Sequence, residues 1–440
     1  MTDIIMTAYA WGFGNIGDAA ITPGLVRLLQ GRFPEHTVAV LAEAGEDRVR
    51  EYVHRVAPGA LVLANALAQP FEVALAEAKR HRDGGLPPTD ETSVDLLFDT
   101  FMPRVVDMIM QGNAEFREVL RRTKLMIYNS GMVLVFGDGT LAGHDFWGYT
   151  VRRALPLLVA NRLGIPYGVY AHSYDSFGGV PGQALFRRLL DEAAFVFCRE
   201  RDSLSYLEGT GIADHTRMFV PDSTLSFVER DDTWTRAFMG EHGLQSGRFL
   251  VIVPRTWLGD TVVRNAIGKA RSNAHMASLR TSIEAWVRST GMRAVIAVEV
   301  VDELPHARRL VHEPLPADVR RQCVMMDDFW LPGQAAGLYR QARGLLTMEL
   351  HSYLLAFGQE TPAVVATFGE SGRKVEMVRD FGQPEMLLDI DHATPSGVAE
   401  AVCKMDDEHD HVQERMRGVL LPSLRGLEQR ALDTMARALV

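Results

Sequence analysis

The residues best suited to chemistry lie in Thr347-Met348-Glu349-Leu350-His351-Ser352, between the apolar run Gly344 to Met348 and an apolar, helix-like stretch. An imidazole titrates near neutral pH, so His351 suits proton transfer as an acid or a base. Glu349 and Ser352 flank it with a carboxylate and a hydroxyl. A polar cluster at the carboxyl end of a strand, opening a helix, is where open α/β sheets put their ligand chemistry. The plainer alternative is a structural histidine.

Two arginines stand at strand ends. Arg199 follows the run Ala194 to Cys198, and Arg255 follows Phe249 to Val253. A guanidinium fork at such an edge suits a carboxylate or a phosphate. A strand-end salt bridge with a helix cap at Asp202 or Ser203 is the alternative for Arg199, and a surface position is the alternative for Arg255. Arg373 and Lys374 end the loop Phe368 to Lys374, which reads either as a phosphate loop or as a solvated turn.

Near the start, Gly12 to Asp18 carries Asn15, Gly17 and Asp18 between a strand and a helix. Glycines let backbone approach a ligand closely, and the helix N-terminus offers unpaired N–H groups to an anion. Asp18 reads equally as a helix cap. The spacing is not the dinucleotide fingerprint, because Asp18 follows Gly17. Gly137, Asp138 and Gly139 form a turn with His144, Asp145 and Trp147 nearby, which suits either a chain reversal or a sugar pocket.

The elements that must position these groups read as strands alternating with helices in two consecutive blocks. Ile4 to Ala10, Thr37 to Leu41, Met132 to Phe136, Tyr167 to Ala171, Ala194 to Cys198 and Met218 to Val220 form the first set of strands. Phe249 to Val253, Arg293 to Val298, Cys323 to Met326, Gly344 to Met348 and Ala363 to Thr367 form the second. Residues 45 to 80 read as helical, and so do 93 to 122. The pattern predicts an α/β protein of two doubly wound Rossmann-like domains. The first spans 1–235 with a helical insertion at 65–122, and the second spans 245–405. A C-terminal helix at 406–440 packs across them.

The length of 440 residues favours two cores over one. A net charge of −10 argues against nucleic acid as a partner. The three cysteines are scattered without metal spacing, as in a reducing compartment. No run of 18 apolar residues predicts a membrane span. The first residues lack a signal-peptide pattern, so the expected location is cytoplasmic. A homo-oligomer is compatible with the sequence.

Taken in order, the segments resemble the polysaccharide pyruvyl transferase family. The resemblance rests on Gly14-Asn15-Ile16-Gly17-Asp18, Gly137-Asp138-Gly139, Arg199-Glu200-Arg201-Asp202-Ser203, Pro221-Asp222, Pro254-Arg255, Glu349-Leu350-His351, and Thr361-Pro362 with Lys374. It implies a fold similar to GT-B glycosyltransferases. It also implies transfer of pyruvate from phosphoenolpyruvate, as co-substrate, onto two hydroxyls of a sugar-containing acceptor in polysaccharide biosynthesis, with neither cofactor nor metal. Within that resemblance, His351, Glu349 and Asp18 are the catalytic candidates. Asn15, Gly17, Gly137, Asp138, Gly139, Arg199, Arg255, Ser352, Arg373 and Lys374 are the substrate-binding candidates.

The departure is Glu349, where the family pattern has arginine. A carboxylate there repels an anionic donor. Arg373 or Lys374 supplies the lost charge, or Glu349 braces another residue, or the donor differs, a nucleotide sugar being one such donor. A glycan-binding member without catalysis is a further alternative.

Overall fold

The computed structural model describes residues 2–10, 13–42, 46–80, 87, 89–129, 145–174, 179–211, 217–256 and 268–439. The chain divides into two compact units. Unit 1 comprises Met1–Gly12, Ile21–Asp222 and Leu427–Val440, and unit 2 comprises Phe13–Ala20 and Ser223–Gly426. The short stretch Phe13–Ala20 therefore belongs with residues far downstream of it.

Unit 1 is built on seven parallel strands. These are β1 (Ile4–Ala10), β2 (Thr37–Ala42), β3 (Leu61–Ala64), β4 (Thr123–Tyr128), β5 (Tyr167–His172), β6 (Phe195–Cys198) and β7 (Arg217–Phe219), in the order β3-β2-β1-β4-β5-β6-β7. Unit 2 has six parallel strands: β8 (Phe249–Val253), β9 (Arg293–Ile296), β10 (Cys323–Met325), β11 (Gly344–Thr347), β12 (Ala363–Thr367) and β13 (Leu387–Asp389). Their order is β10-β9-β8-β11-β12-β13. Both orders run outward from the first strand of the sheet and then resume on its other side, which is the doubly wound pattern. Most of the strands are near-continuous apolar runs, as they must be when helices cover both faces of a parallel sheet.

One of these strands, β3, was not legible in the helical reading of residues 45 to 80. That stretch is helix Glu46–Val56, then β3, then helix Ala68–Arg80. Pro58-Gly59 ends the first helix, and Gly59 adopts φ 86°, a left-handed conformation that glycine alone adopts freely. β13 was also missed, being three half-buried or exposed residues at a sheet edge. The strand expected at Met132 to Phe136 lies outside the described residues, and β4 is found upstream at Thr123–Tyr128.

Between β3 and β4 the chain forms a set of helices over Ala68–Arg122, which pack against the unit 1 core through Phe71, Leu97, Phe101, Val105 and Leu120. Trp147 sits fully buried in the same core, 5.0 Å from the Phe101 ring and 5.1 Å from that of Phe146. It therefore offers no open stacking face for a sugar. The core of unit 2 gathers Ile252, Trp286, Ile296, Leu346 and Val402. Three helices matter below: α1 (Ile16–Arg32), α2 (Lys269–Thr290) and α3 (Leu350–Gly358). No described helix is long and apolar enough to cross a membrane.

Candidate active site

The switch point of the second sheet lies between β8 and β11, where the winding reverses, and their carboxyl ends form the expected ligand crevice. β8 runs into Arg255, and β11 runs into Glu349 and His351. β9, on the other side of β8, leads into Glu299 and Glu303. Unit 2 thus collects five ionisable groups at one end of three adjacent strands.

Glu349 has an extended backbone, φ −119° and ψ 130°, and is the N-cap residue of α3. Its side chain does not cap the helix. One oxygen instead accepts a hydrogen bond from Arg255 Nη1 at 2.7 Å. The second carboxylate near Arg255 is Glu303, whose Oε1 lies 3.7 Å from Nε. Glu303 Oε2 also accepts from the Thr256 amide at 2.8 Å and from the Thr256 hydroxyl. Glu349 is 6% exposed. Burial is the largest influence on it and pushes its carboxyl up to about 7, helped by the negative charges of Glu299 and Glu303 and opposed by Arg255 and Lys374. The rise in spite of a 2.7 Å cation contact shows that desolvation and carboxylate crowding outweigh the ion pair.

The cap that Glu349 does not provide comes from Glu299. Its Oε2 accepts from the Ser352 amide at 2.7 Å and the Ser352 hydroxyl at 2.8 Å, satisfying a first-turn N–H of α3. Its Oε1 lies 3.3 Å from His351 Nδ1. Burial alone would raise this carboxyl. The hydrogen bond and charge of His351, with the two bonds from Ser352, more than compensate and hold it below its ordinary value. These contacts favour the carboxylate form of Glu299 at 2% exposure.

The Asn15–Asp18 turn belongs to the same cluster. Asn15 Oδ1 accepts from the Gly17 amide at 2.7 Å and the Asp18 amide at 3.3 Å, so Asn15 caps α1, and Asp18 contributes an amide from the first turn. The cap position is three residues before the one considered for Asp18. The Ile16 amide donates to the Glu299 carbonyl at 3.0 Å, and the Val301 amide donates to the Gly14 carbonyl at 2.8 Å. Gly17 lies directly against His351, and a Cβ there would collide with the Cβ, Cγ and Nδ1 of the histidine. A glycine is required at this close approach.

Arg373 and Lys374 lie half-buried in a short turn entered through Gly372, at φ 65°. The charge of Lys374 is felt at Glu349. The turn is anchored from α2. Asp391 accepts from Arg271 Nε at 2.6 Å, from His275 Nε2 at 2.7 Å and from the Gly369 amide at 3.0 Å.

Arg199 belongs to unit 1, in a network of its own. It is 7% exposed, its Nε donates to Ser173 Oγ at 2.6 Å, and its Nη1 donates to Asp222 at 3.1 Å. Glu200 is buried beside it, and accepts from Ser173 at 3.0 Å and from Ser203. Burial raises the Glu200 carboxyl, the positive charge of Arg199 opposing it. Burial, and then the charge of Arg199, press His172 down to about 3, so its imidazole is neutral at pH 7. The Arg-Glu-x-x-Ser segment and Pro221-Asp222 are thus knitted into one buried lattice, and the Arg199 fork is bonded within it instead of standing open at an edge.

Gly12, Gly137, Asp138 and Gly139, with His144, lie outside the described residues. Among the described residues, no group of three His, Cys, Asp or Glu side chains is arranged to hold a metal. Glu299, Glu303 and Thr256 were not singled out from the sequence. The available signal was Glu299 itself, a carboxylate inside the apolar run Ala294 to Val301. Such a residue is buried only with partners.

A search of curated protein sequences finds no match. Solved structures of low identity share the fold. MnaA of S. aureus, solved with UDP, is 12% identical over 96% of this chain and 92% of its own, with a TM-score of 0.55. UDP-GlcNAc 2-epimerase from Neisseria meningitidis, bound to UDP-GlcNAc, is 10% identical over 99% of both chains, with a TM-score of 0.57. A ugt transferase from Siraitia grosvenorii, in complex with UDP, is 11% identical over 99% of this chain and 100% of its own, with a TM-score of 0.51. These relations establish the two-unit GT-B-type α/β fold. The family model for polysaccharide pyruvyl transferase matches residues 15–367, which takes in the Asn15 turn, the Arg199 lattice, Arg255 and the Glu349–Ser352 cluster. This chain is a transferase that belongs to the polysaccharide pyruvyl transferase family.

Proposed function

We propose that this transferase moves the pyruvyl group of phosphoenolpyruvate onto two hydroxyls of a sugar-containing acceptor, with His351 as the acid/base. A proton added to the methylene carbon leaves an oxocarbenium-like centre at C2. The first acceptor hydroxyl adds there and loses its proton. The second hydroxyl closes the ketal as phosphate departs with its bonding electron pair. His351 carries the protons between these steps, and Arg255, Arg373 and Lys374 hold the donor's anionic groups. The observation that supports this reading is the gathering of His351, Arg255 and the Asn15–Gly17 turn at the switch point of the second sheet. The test is phosphate release and ketal formation with phosphoenolpyruvate over a broad acceptor panel. No release with any acceptor refutes it.

A second reading is favoured by the 2.7 Å Arg255–Glu349 pair. A carboxylate on the cation meant for an anionic donor favours a donor with less charge at that point, such as a nucleotide sugar. Thermal-shift measurements with phosphoenolpyruvate and a set of nucleotide sugars separate the two readings, since only the true donor raises the melting temperature.

A further inference from the structure

We propose that Glu299 is the positioning residue for His351, fixing its Nδ1 as the protonated nitrogen and leaving proton exchange to Nε2. The inference rests on the reading of His351 as the acid/base. Its structural basis is that Glu299 is tied at every polar atom that faces the cluster. Its carbonyl accepts from Ile16, its Oε2 from Ser352, and its Oε1 faces His351 Nδ1 at 3.3 Å. A carboxylate so constrained has no freedom to turn away from the imidazole. It is fully buried, and its Oε2 accepts from both the amide and the hydroxyl of Ser352, contacts that favour the carboxylate form. An ionised acceptor requires an N–H opposite it, so Nδ1 carries the proton and the lone pair of the neutral ring resides on Nε2. Gly17 completes the arrangement, because only a bare Cα leaves room for the Cβ, Cγ and Nδ1 of His351 against the α1 turn.

The arrangement has an energetic meaning. When Nε2 takes a proton from an acceptor hydroxyl, the ring becomes an imidazolium facing a buried carboxylate. That charge pair stabilises the proton-carrying state, as an orienting carboxylate does for a histidine base. The coupling is reciprocal, so the interaction that lowers Glu299 raises the proton affinity of His351. The other charged groups around this pair are Glu349 from the cap of α3, Glu303, and Arg255, which pairs with both carboxylates, with the charge of Lys374 reaching Glu349. A change at Glu299 leaves those three in place.

The test uses the full chain labelled with ¹⁵N-histidine, and needs no substrate. His351 is assigned among the 14 histidines by the signal lost in His351→Gln. The expected wild-type result is an Nδ1–H neutral tautomer, and a titration midpoint that falls by about one unit or more in Glu299→Gln. Glu299→Asp is expected to fall between the two. A wild-type Nε2–H tautomer, or equal midpoints in wild type and Glu299→Gln, overturns the proposal. If Glu299→Gln does not fold, the wild-type tautomer decides alone. Absence of turnover with phosphoenolpyruvate would refute the proposed reaction without touching this measurement, so the two failures are distinguishable.

Discussion

Gly17→Ala tests the contact on which the site's geometry depends. The backbone at Gly17 is not left-handed, so alanine meets no backbone objection there, and helix propensity favours it by up to about 1 kcal/mol. The added methyl, however, would overlap three atoms of His351. That atom group is held between Glu299 and Gly17, so relief requires a shift of roughly 1 Å in the imidazole or in the α1 turn. Overpacking of this kind costs about 1–3 kcal/mol. For a domain of this size each kcal/mol lowers the melting temperature by about 2–4 °C, so a fall of about 5 °C is expected. A misplacement of about 1 Å also lowers catalytic rate by about a hundredfold. The decisive assay is a double-mutant cycle with His351→Ala, read by thermal unfolding. In His351→Ala the overlaps with Cγ and Nδ1 are gone while that with Cβ remains, so the penalty of Gly17→Ala should shrink without vanishing, with a coupling of about 1 kcal/mol or more. An equal penalty in both backgrounds would show that His351 does not press on Gly17, and the account of the site would fail.

Glu349 makes stability depend on pH. Its folded carboxyl titrates near 7 against an ordinary value of 4.5, so the folded state binds more protons between those values. Stability from this group is therefore fully present below about 4.5 and is lost as pH rises through 7, by on the order of 3 kcal/mol. Glu349→Gln should flatten that slope, and parallel melting profiles for the two proteins between pH 4.5 and 8 would refute it. Glu349→Arg should create phosphoenolpyruvate affinity or strengthen it. Two unit charges about 4 Å apart interact by about 4 kcal/mol at an effective dielectric near 20, so even a heavily screened reversal is worth tenfold in calorimetric Kd. Unchanged affinity would remove Glu349 from the donor site. Asp222→Ala should destabilise unit 1 by about 1–3 kcal/mol with no ligand present, since it removes the 3.1 Å partner of the buried Arg199 guanidinium and leaves Glu200 as the one carboxylate of the pair beside it. A melting temperature within 1–2 °C of wild type (about half a kcal/mol) would mean the Arg199 lattice is not structural.

Much of this was legible in the sequence because parallel strands covered on both faces are short apolar runs, and polar residues after them mark the carboxyl ends. Arg199, Arg255 and His351 were found in that way. The roles assigned to them depended on partners far away in the chain. For Arg199 an open fork and a strand-end salt bridge stayed equal alternatives, because its Asp222 and Ser173 contacts are not local. For Glu349 bracing another residue was one of three alternatives, and nothing in its neighbourhood shows that the residue it faces is Arg255, 94 residues earlier. Glu299 was missed because it follows a strand without the glycine or proline punctuation that drew attention elsewhere. β3 disappeared into a helical reading because four residues between two amphipathic helices carry no period of their own.

The excursion of Phe13–Ala20 into unit 2 has a consequence for how the chain reaches its native state. The Ile16 amide waits for a carbonyl about 280 residues later, and the ring that packs on Gly17 is made later still. During synthesis the amino-terminal strand can join its own sheet long before the turn that follows it has a partner. Contacts of such long range form late and slowly. The His351 cluster is therefore among the last parts of the molecule to assemble, and a separately expressed segment 223–426 would carry His351 without the backbone that buttresses it.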